Sequence, residues 1–143
     1  MTRTTHVPTP LRLSLRAEPS CVRYAREAVA EAASELGMPR RLVNDVRLCV
    51  SEAVSNAVRH AYVGELGDVH ITFQRLGGGV RVVVRDFGTG MPTRRRTRAR
   101  SSGGFGWTIM RALADRCTVK STSKDGTEVT MSFGTRLPAP APR

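Results

Sequence analysis

No apolar run in this 143-residue chain approaches the ~20 residues that a membrane-spanning helix needs. The opening segment, Met1-Thr-Arg-Thr-Thr-His-Val-Pro, lacks the apolar stretch of a secretory signal. These two gaps give the expectation of a cytoplasmic protein with no membrane contact. Cysteine is scarce. Cys21, Cys49 and Cys117 are too few and too scattered for a disulfide framework or a CxxC metal knuckle, so they read as small buried hydrophobes. Lysine is nearly missing: all but Lys120 and Lys124 of the 23 basic residues are arginine. Acids are also few, and the balance is +11, which favours anionic partners. Arg94, Arg95, Arg96, Arg98 and Arg100 concentrate this charge within seven residues, yet no aromatic is interleaved where a nucleic-acid patch would want stacking rings. Alone, such a run reads equally well as a solvated loop.

What is present suffices for one core, since 40% of the residues are hydrophobic. Residues 1–10 read as a flexible N-terminal arm. Leu11, Leu13 and Leu15 alternate with polar residues as a half-buried strand. Ser20 is positioned to cap a helix that runs to about Leu36, with Val22, Ala25, Val29 and Ala32 on one face. A longer helix is expected from about Pro39 to Ala61, its stripe formed by Leu42, Val46, Cys49, Ala53 and Ala57. Val69, Ile71 and Phe73, then Val80, Val82 and Val84, flank Gly77-Gly78-Gly79 as a hairpin. Residues 88–106 hold five glycines and the arginine run, and so long a stretch without periodicity is usually functional. Helical periodicity returns at Trp107, and a last hairpin joins Thr118–Thr122 to Thr127–Phe133. The tail, 136–143, is Pro-rich and reads as flexible. The order β α α β β, loop, α β β predicts an α+β fold. Its expected form is a two-layer α/β sandwich with a mixed, largely antiparallel sheet and helices on one face.

Four clusters carry possible chemistry. Glu52, Asn56 and His60 stand four residues apart on one helical ridge, where Glu and Asn are costly if buried without partners. Asp86-Phe87-Gly88-Thr89-Gly90 ends a valine-rich strand. A carboxylate there can accept from the amino group of a base, and glycines let backbone approach a ligand. Gly103-Gly104-Phe105-Gly106 opens a helix, so amides and the helix dipole can face a phosphate. It lacks the Lys-Ser/Thr pair of a P-loop. Asp125-Gly126-Thr127 alone is an ordinary hairpin turn.

Taken in order, these clusters resemble the GHKL-type ATPase domain (the Bergerat fold of gyrase, histidine kinases and MutL). Within it, they are most similar to the anti-sigma-factor serine/threonine kinases of the SpoIIAB/RsbW type. Ser51 to Tyr62 resembles the N box, Arg85 to Met91 the G1 box and Gly104 to Met110 the G2 box, while Gly126-Thr127 resembles the last nucleotide contact. The resemblance implies a domain over 11–135 with a lid at about 91–103, and cofactors ATP and Mg²⁺. It implies that Glu52 is the general base, that Asn56 holds Mg²⁺ and that Asp86 binds the adenine amino group. Thr127 would help at the base, and Gly88, Gly90, Gly104 and Gly106 would shape the pocket. Its partners would be a sigma factor and an anti-anti-sigma (STAS-type) protein substrate, bound by a homodimer with no direct nucleic-acid contact. A histidine kinase would carry a sensor and a phosphorylatable helix pair, which this sequence does not contain. The lid lacks the Thr-Thr-Lys-Pro type of segment of the sporulation kinase, and arginines stand there instead. That departure leaves a non-catalytic ATP-dependent partner-binding switch in play, while a less favoured alternative, a basic nucleic-acid-binding module, is suggested only by the +11 charge.

Overall fold

The computed structural model describes residues 10–62, 67–88, 105–122 and 124–135. The 1–9 portion of the arm, Gly90, the 91–103 lid, Gly104 and the 136–143 tail lie outside them. The elements are β1 (Leu11–Arg16), α1 (Pro19–Glu35), α2 (Arg40–His60), β2 (Asp68–Leu76), β3 (Gly79–Asp86), α3 (Phe105–Leu113), β4 (Arg116–Thr122) and β5 (Gly126–Phe133).

The strands form one five-stranded sheet in the order β1-β2-β3-β5-β4. Where the sequence allowed a mixed sheet, all four pairings are antiparallel. The reason lies in the connections. After α3 the chain lays down β4 at the edge, running in the direction of β3. The β4–β5 hairpin then returns β5 into the space between them. The α+β two-layer expectation holds: α1 packs over β1 and β2, α2 over β3 and β5, and α3 against α2 and β4.

Alternation sets the layers. Ile71 and Phe73 of β2, Val80 and Val82 of β3, and Met131 and Phe133 of β5 are fully buried beneath the helices. From α2, Val46, Cys49, Val50, Ala53, Val54 and Ala57 meet them, a wider stripe than the single row expected from sequence. Met110 and Trp107 of α3 complete the core, so Trp107 is a packing residue. Burial pushes the Cys49 thiol up to about 12, which keeps it protonated and inert.

One boundary differs. α1 begins at Pro19 with Glu18 before it, so Ser20 lies inside the first turn and caps nothing. Proline at the first helical position gives up an amide that would have lacked a partner anyway, and its fixed φ starts the helix without a capping side chain.

Candidate functional site

The site is built where the C-terminal half of α2, the end of β3 and the β4–β5 turn come together. β3 delivers Asp86 at its last position, on the helix-facing side, and the residue is only 6% exposed. Its Oδ1 accepts two amide hydrogen bonds, from Gly88 N–H at 3.1 Å and from Thr127 N–H at 3.2 Å. Burial pushes the Asp86 carboxyl above the ordinary carboxylate range, and the two amide bonds pull it back in part. No described residue bonds Oδ2.

The second bond depends on Gly126. This residue sits at φ +82°, and a Cβ there would collide with the Asp86 carbonyl. Only glycine meets both demands, so the turn can press β5 against the end of β3 and present the Thr127 amide. Thr127 is therefore a partner of Asp86 through its backbone. Its hydroxyl lies 2.9 Å from Ser121 Oγ on the neighbouring strand.

On α2, Asn56 and Glu52 stand roughly one and two turns before the helix end. Both are half-buried, while His60 is exposed at the last turn. Among the described residues, neither the Glu52 nor the Asn56 side chain makes a hydrogen bond or ion pair. The first turn of α3 lies directly against them. A Cβ on Gly106 would stand 2.8 Å from Glu52 Oε2 and 3.5 Å from Asn56 Nδ2. The glycine thus brings the dipole of α3 onto the polar ridge of α2 with no side chain between.

A latch joins the two halves. The Tyr62 hydroxyl donates to the Asp68 carbonyl at 2.7 Å and accepts from Phe87 N–H at 2.8 Å. Gly88 lies against the Ala61 carbonyl, so the end of α2 and the turn after Asp86 are held as one unit. Burial pushes the Tyr62 phenol up. The sequence places Tyr62 within the N-box segment, but nothing local signals its bond to a residue 25 positions away.

Of the expected site residues, Glu52, Asn56 and Gly106 form one cluster, and Asp86, Gly88 and Thr127 form another. Gly90 and Gly104 lie outside the described residues. No group of three or more His, Cys, Asp or Glu side chains among the described residues could hold a metal ion. A neutral side-chain oxygen such as that of Asn56 suits a cation that already carries phosphate oxygens and waters.

The chain matches the histidine kinase-like ATPase domain family over residues 15–133. An anti-sigma F factor of Clostridium novyi is 34% identical over 119 residues, covering 76% of this chain and 82% of the relative. The serine-protein kinase RsbW of Bacillus velezensis is 30% identical over 126 residues, covering 79% of each. The crystal structure of the RsbU and RsbW domains of a Mycobacterium tuberculosis protein superposes with a TM-score of 0.69. At 24% identity, over 88% of this chain and 32% of that one, it is a likeness of fold.

Proposed function

We propose, from the premise that this chain belongs to the histidine kinase-like ATPase domain family, that it is an ATP-dependent serine/threonine kinase and anti-sigma factor. It sequesters a sigma factor and phosphorylates an anti-anti-sigma protein of the STAS type. Its relatives are named anti-sigma F factor and serine-protein kinase RsbW. The observation that carries the catalytic reading is the meeting of Glu52, Asn56 and the Gly106 turn. The proposed unit is 11–135, with 91–103 as its lid, acting as a homodimer in the cytoplasm. Among the described residues no helix is long and apolar enough to cross a membrane.

In this reading Asp86 Oδ2 accepts from the adenine amino group, while Oδ1 stays committed to the Gly88 and Thr127 amides. The amide bonds fix the carboxylate plane, so discrimination for the base is set before it arrives. Asn56 would hold Mg²⁺ through its side-chain oxygen, and the ion would supply charge neutralisation at the phosphates. The dipole of α3 favours the same anionic groups. Glu52 accepts the proton of the substrate hydroxyl as that oxygen attacks. Gly90 and Gly104 are proposed to shape the pocket, and the arginines of the lid to face the phosphates. Calorimetry with ATP and ADP, with and without Mg²⁺, tests the binding half. Mg²⁺-independent or undetectable binding contradicts it.

Two further outcomes follow from the geometry around Asp86. Because its pKa is raised in the fold, Asp86 adds stability while protonated. That stability is lost as pH rises from its unfolded pKa through its folded one. The base needs the ionised form, so ADP binding should expel a proton at pH values near and below the raised pKa. Affinity should fall as pH drops through the raised value. Calorimetry in buffers of different ionisation enthalpy reads this proton, and Asp86→Asn should abolish it. The second outcome concerns Tyr62→Phe, which keeps the ring and removes both hydroxyl bonds. A loss of about 1 kcal/mol in stability and a few-fold weaker ADP binding are expected, since the freed Phe87 amide can reach water. Thermal denaturation with and without ADP checks both effects, and unchanged ADP affinity would uncouple the latch from the base site.

A further inference from the structure

Beneath the helices, one row of side chains across the sheet reads Leu13, Ile71, Val84, Val129, Val119, and every one of them is in the core or packed against it. The next inward row, towards the β4–β5 turn, reads Leu15, Val69, Asp86, Thr127, Ser121. Its second half is polar. Asp86 and Thr127 are both buried, and Ser121 is half-buried on the edge strand while Lys120 and Thr122 beside it are exposed. The three polar residues are connected. The Thr127 amide donates to Asp86 Oδ1 at 3.2 Å, and the Thr127 hydroxyl lies 2.9 Å from Ser121 Oγ. A cross-strand pair of hydroxyls adds only modestly to a sheet. A valine at 121 would instead continue the apolar inward row that Cys117 and Val119 begin on β4. The hydroxyl at 121 is therefore explained better by what it does to Thr127 than by packing.

We infer that Ser121 is a positioning residue for base recognition: it donates to the Thr127 oxygen and so turns the Thr127 hydroxyl proton towards N1 of adenine. The inference rests on the reading of Asp86 as the acceptor for the adenine amino group. Adenine presents a donor, the amino group, beside an acceptor, N1. An ionised carboxylate only accepts, so Asp86 serves the amino group and cannot serve N1. The neighbouring group in the row must donate, and Thr127 has a single hydroxyl proton with which to do so. If that proton went to Ser121, the lone pairs of Thr127 would face the lone pair of N1. With Ser121 as the donor, the line Ser121, Thr127, N1 runs in one direction and each bond polarises the next. The position of the Thr127 oxygen is set by its backbone, which Asp86 pins, and by the restricted χ1 of a β-branched residue. Ser121 sets what the backbone cannot, the direction of the proton. A keto purine reverses the order of donor and acceptor along this edge, so it would meet Asp86 and Thr127 with the wrong partner at both places.

The test is calorimetric titration of the full-length protein with ADP and with 1-deaza-ADP, in which a C–H replaces N1 and the amino group is kept. Ser121→Ala should weaken ADP roughly three- to tenfold, the range of one neutral hydrogen bond, and leave 1-deaza-ADP affinity unchanged. Ser121→Thr, which restores a hydroxyl, should bind ADP like wild type. Adding Ser121→Ala to Thr127→Val should cost nothing beyond Thr127→Val alone, because the serine acts through the threonine. A role in holding β4 to β5 would instead weaken both nucleotides alike and lower the melting temperature of the nucleotide-free protein. The inference is overturned if Ser121→Ala weakens ADP and 1-deaza-ADP equally, if it leaves ADP affinity unchanged, or if Ser121→Thr fails to restore it in a protein that melts like wild type. Asp86→Ala, titrated in parallel, separates this failure from that of the base site. Weaker ADP binding in Asp86→Ala together with equal losses in Ser121→Ala would remove the role of Ser121 alone, whereas unchanged ADP binding in Asp86→Ala would remove both.

Discussion

Glu52→Gln should slow phosphoryl transfer to an anti-anti-sigma protein by roughly 10²–10⁴-fold while leaving Mg-ATP affinity nearly intact. The substitution keeps the shape of the side chain beside Gly106, where a Cβ on the glycine would come within 2.8 Å of the Glu52 carboxylate. It removes only the ability to take a proton. Because Glu52 is proposed to touch the substrate hydroxyl and not the nucleotide, binding and rate should separate. Asn56→Ala should behave differently, weakening Mg-ATP and lowering transfer together. Single-turnover transfer and calorimetry on the two variants make the comparison. If Glu52→Gln transferred phosphate at the wild-type rate, the proton would have to leave by another route, and the α2 ridge would be a binding surface alone.

The second large effect is expected at Asp86. Asp86→Ala should weaken ADP by roughly 1.5–3 kcal/mol, or about ten- to a hundredfold, by removing a charged acceptor for the base. It should also cost stability, because the Thr127 amide loses its only described acceptor in a buried position. The two losses are separable. Stability is read from the melting temperature of the nucleotide-free protein, and affinity from the additional shift at saturating ADP. Asp86→Asn keeps an acceptor for the amides and should recover most of the stability but little of the affinity. Equal ADP affinity in wild type and Asp86→Ala would remove the base-binding assignment.

The elements were legible in the sequence because their periodicities are strong. Val80, Val82 and Val84 can only be a strand with one apolar face, and the α2 stripe can only be a helix. The motif spacing also pointed to the site, since Glu52 and Asn56 share a ridge wherever α2 is placed. What the sequence withheld were relations between distant segments. The insertion of β5 between β3 and β4 depends on a hairpin folding back, which no local pattern encodes. The bond from the Thr127 amide to Asp86 spans 41 positions and rests on the positive φ of Gly126. Read locally, Asp125-Gly126-Thr127 is a turn and nothing more. Tyr62 is likewise unremarkable until its hydroxyl is seen between Asp68 and Phe87. The Ser20 cap failed for a local reason, because Pro19 starts the helix without needing one.

The central claim is that this chain uses ATP to phosphorylate a protein through the site between α2 and α3. The most direct measurement is transfer of label from γ-phosphate-labelled ATP to a purified anti-anti-sigma protein, followed by mapping of the labelled residue. The account predicts Mg²⁺-dependent labelling of a single serine or threonine by wild type, absent when the acceptor hydroxyl is removed. Tight ATP binding and a stable complex with that protein or with a sigma factor, but no label under any of these conditions, would contradict it and make the chain a non-catalytic switch.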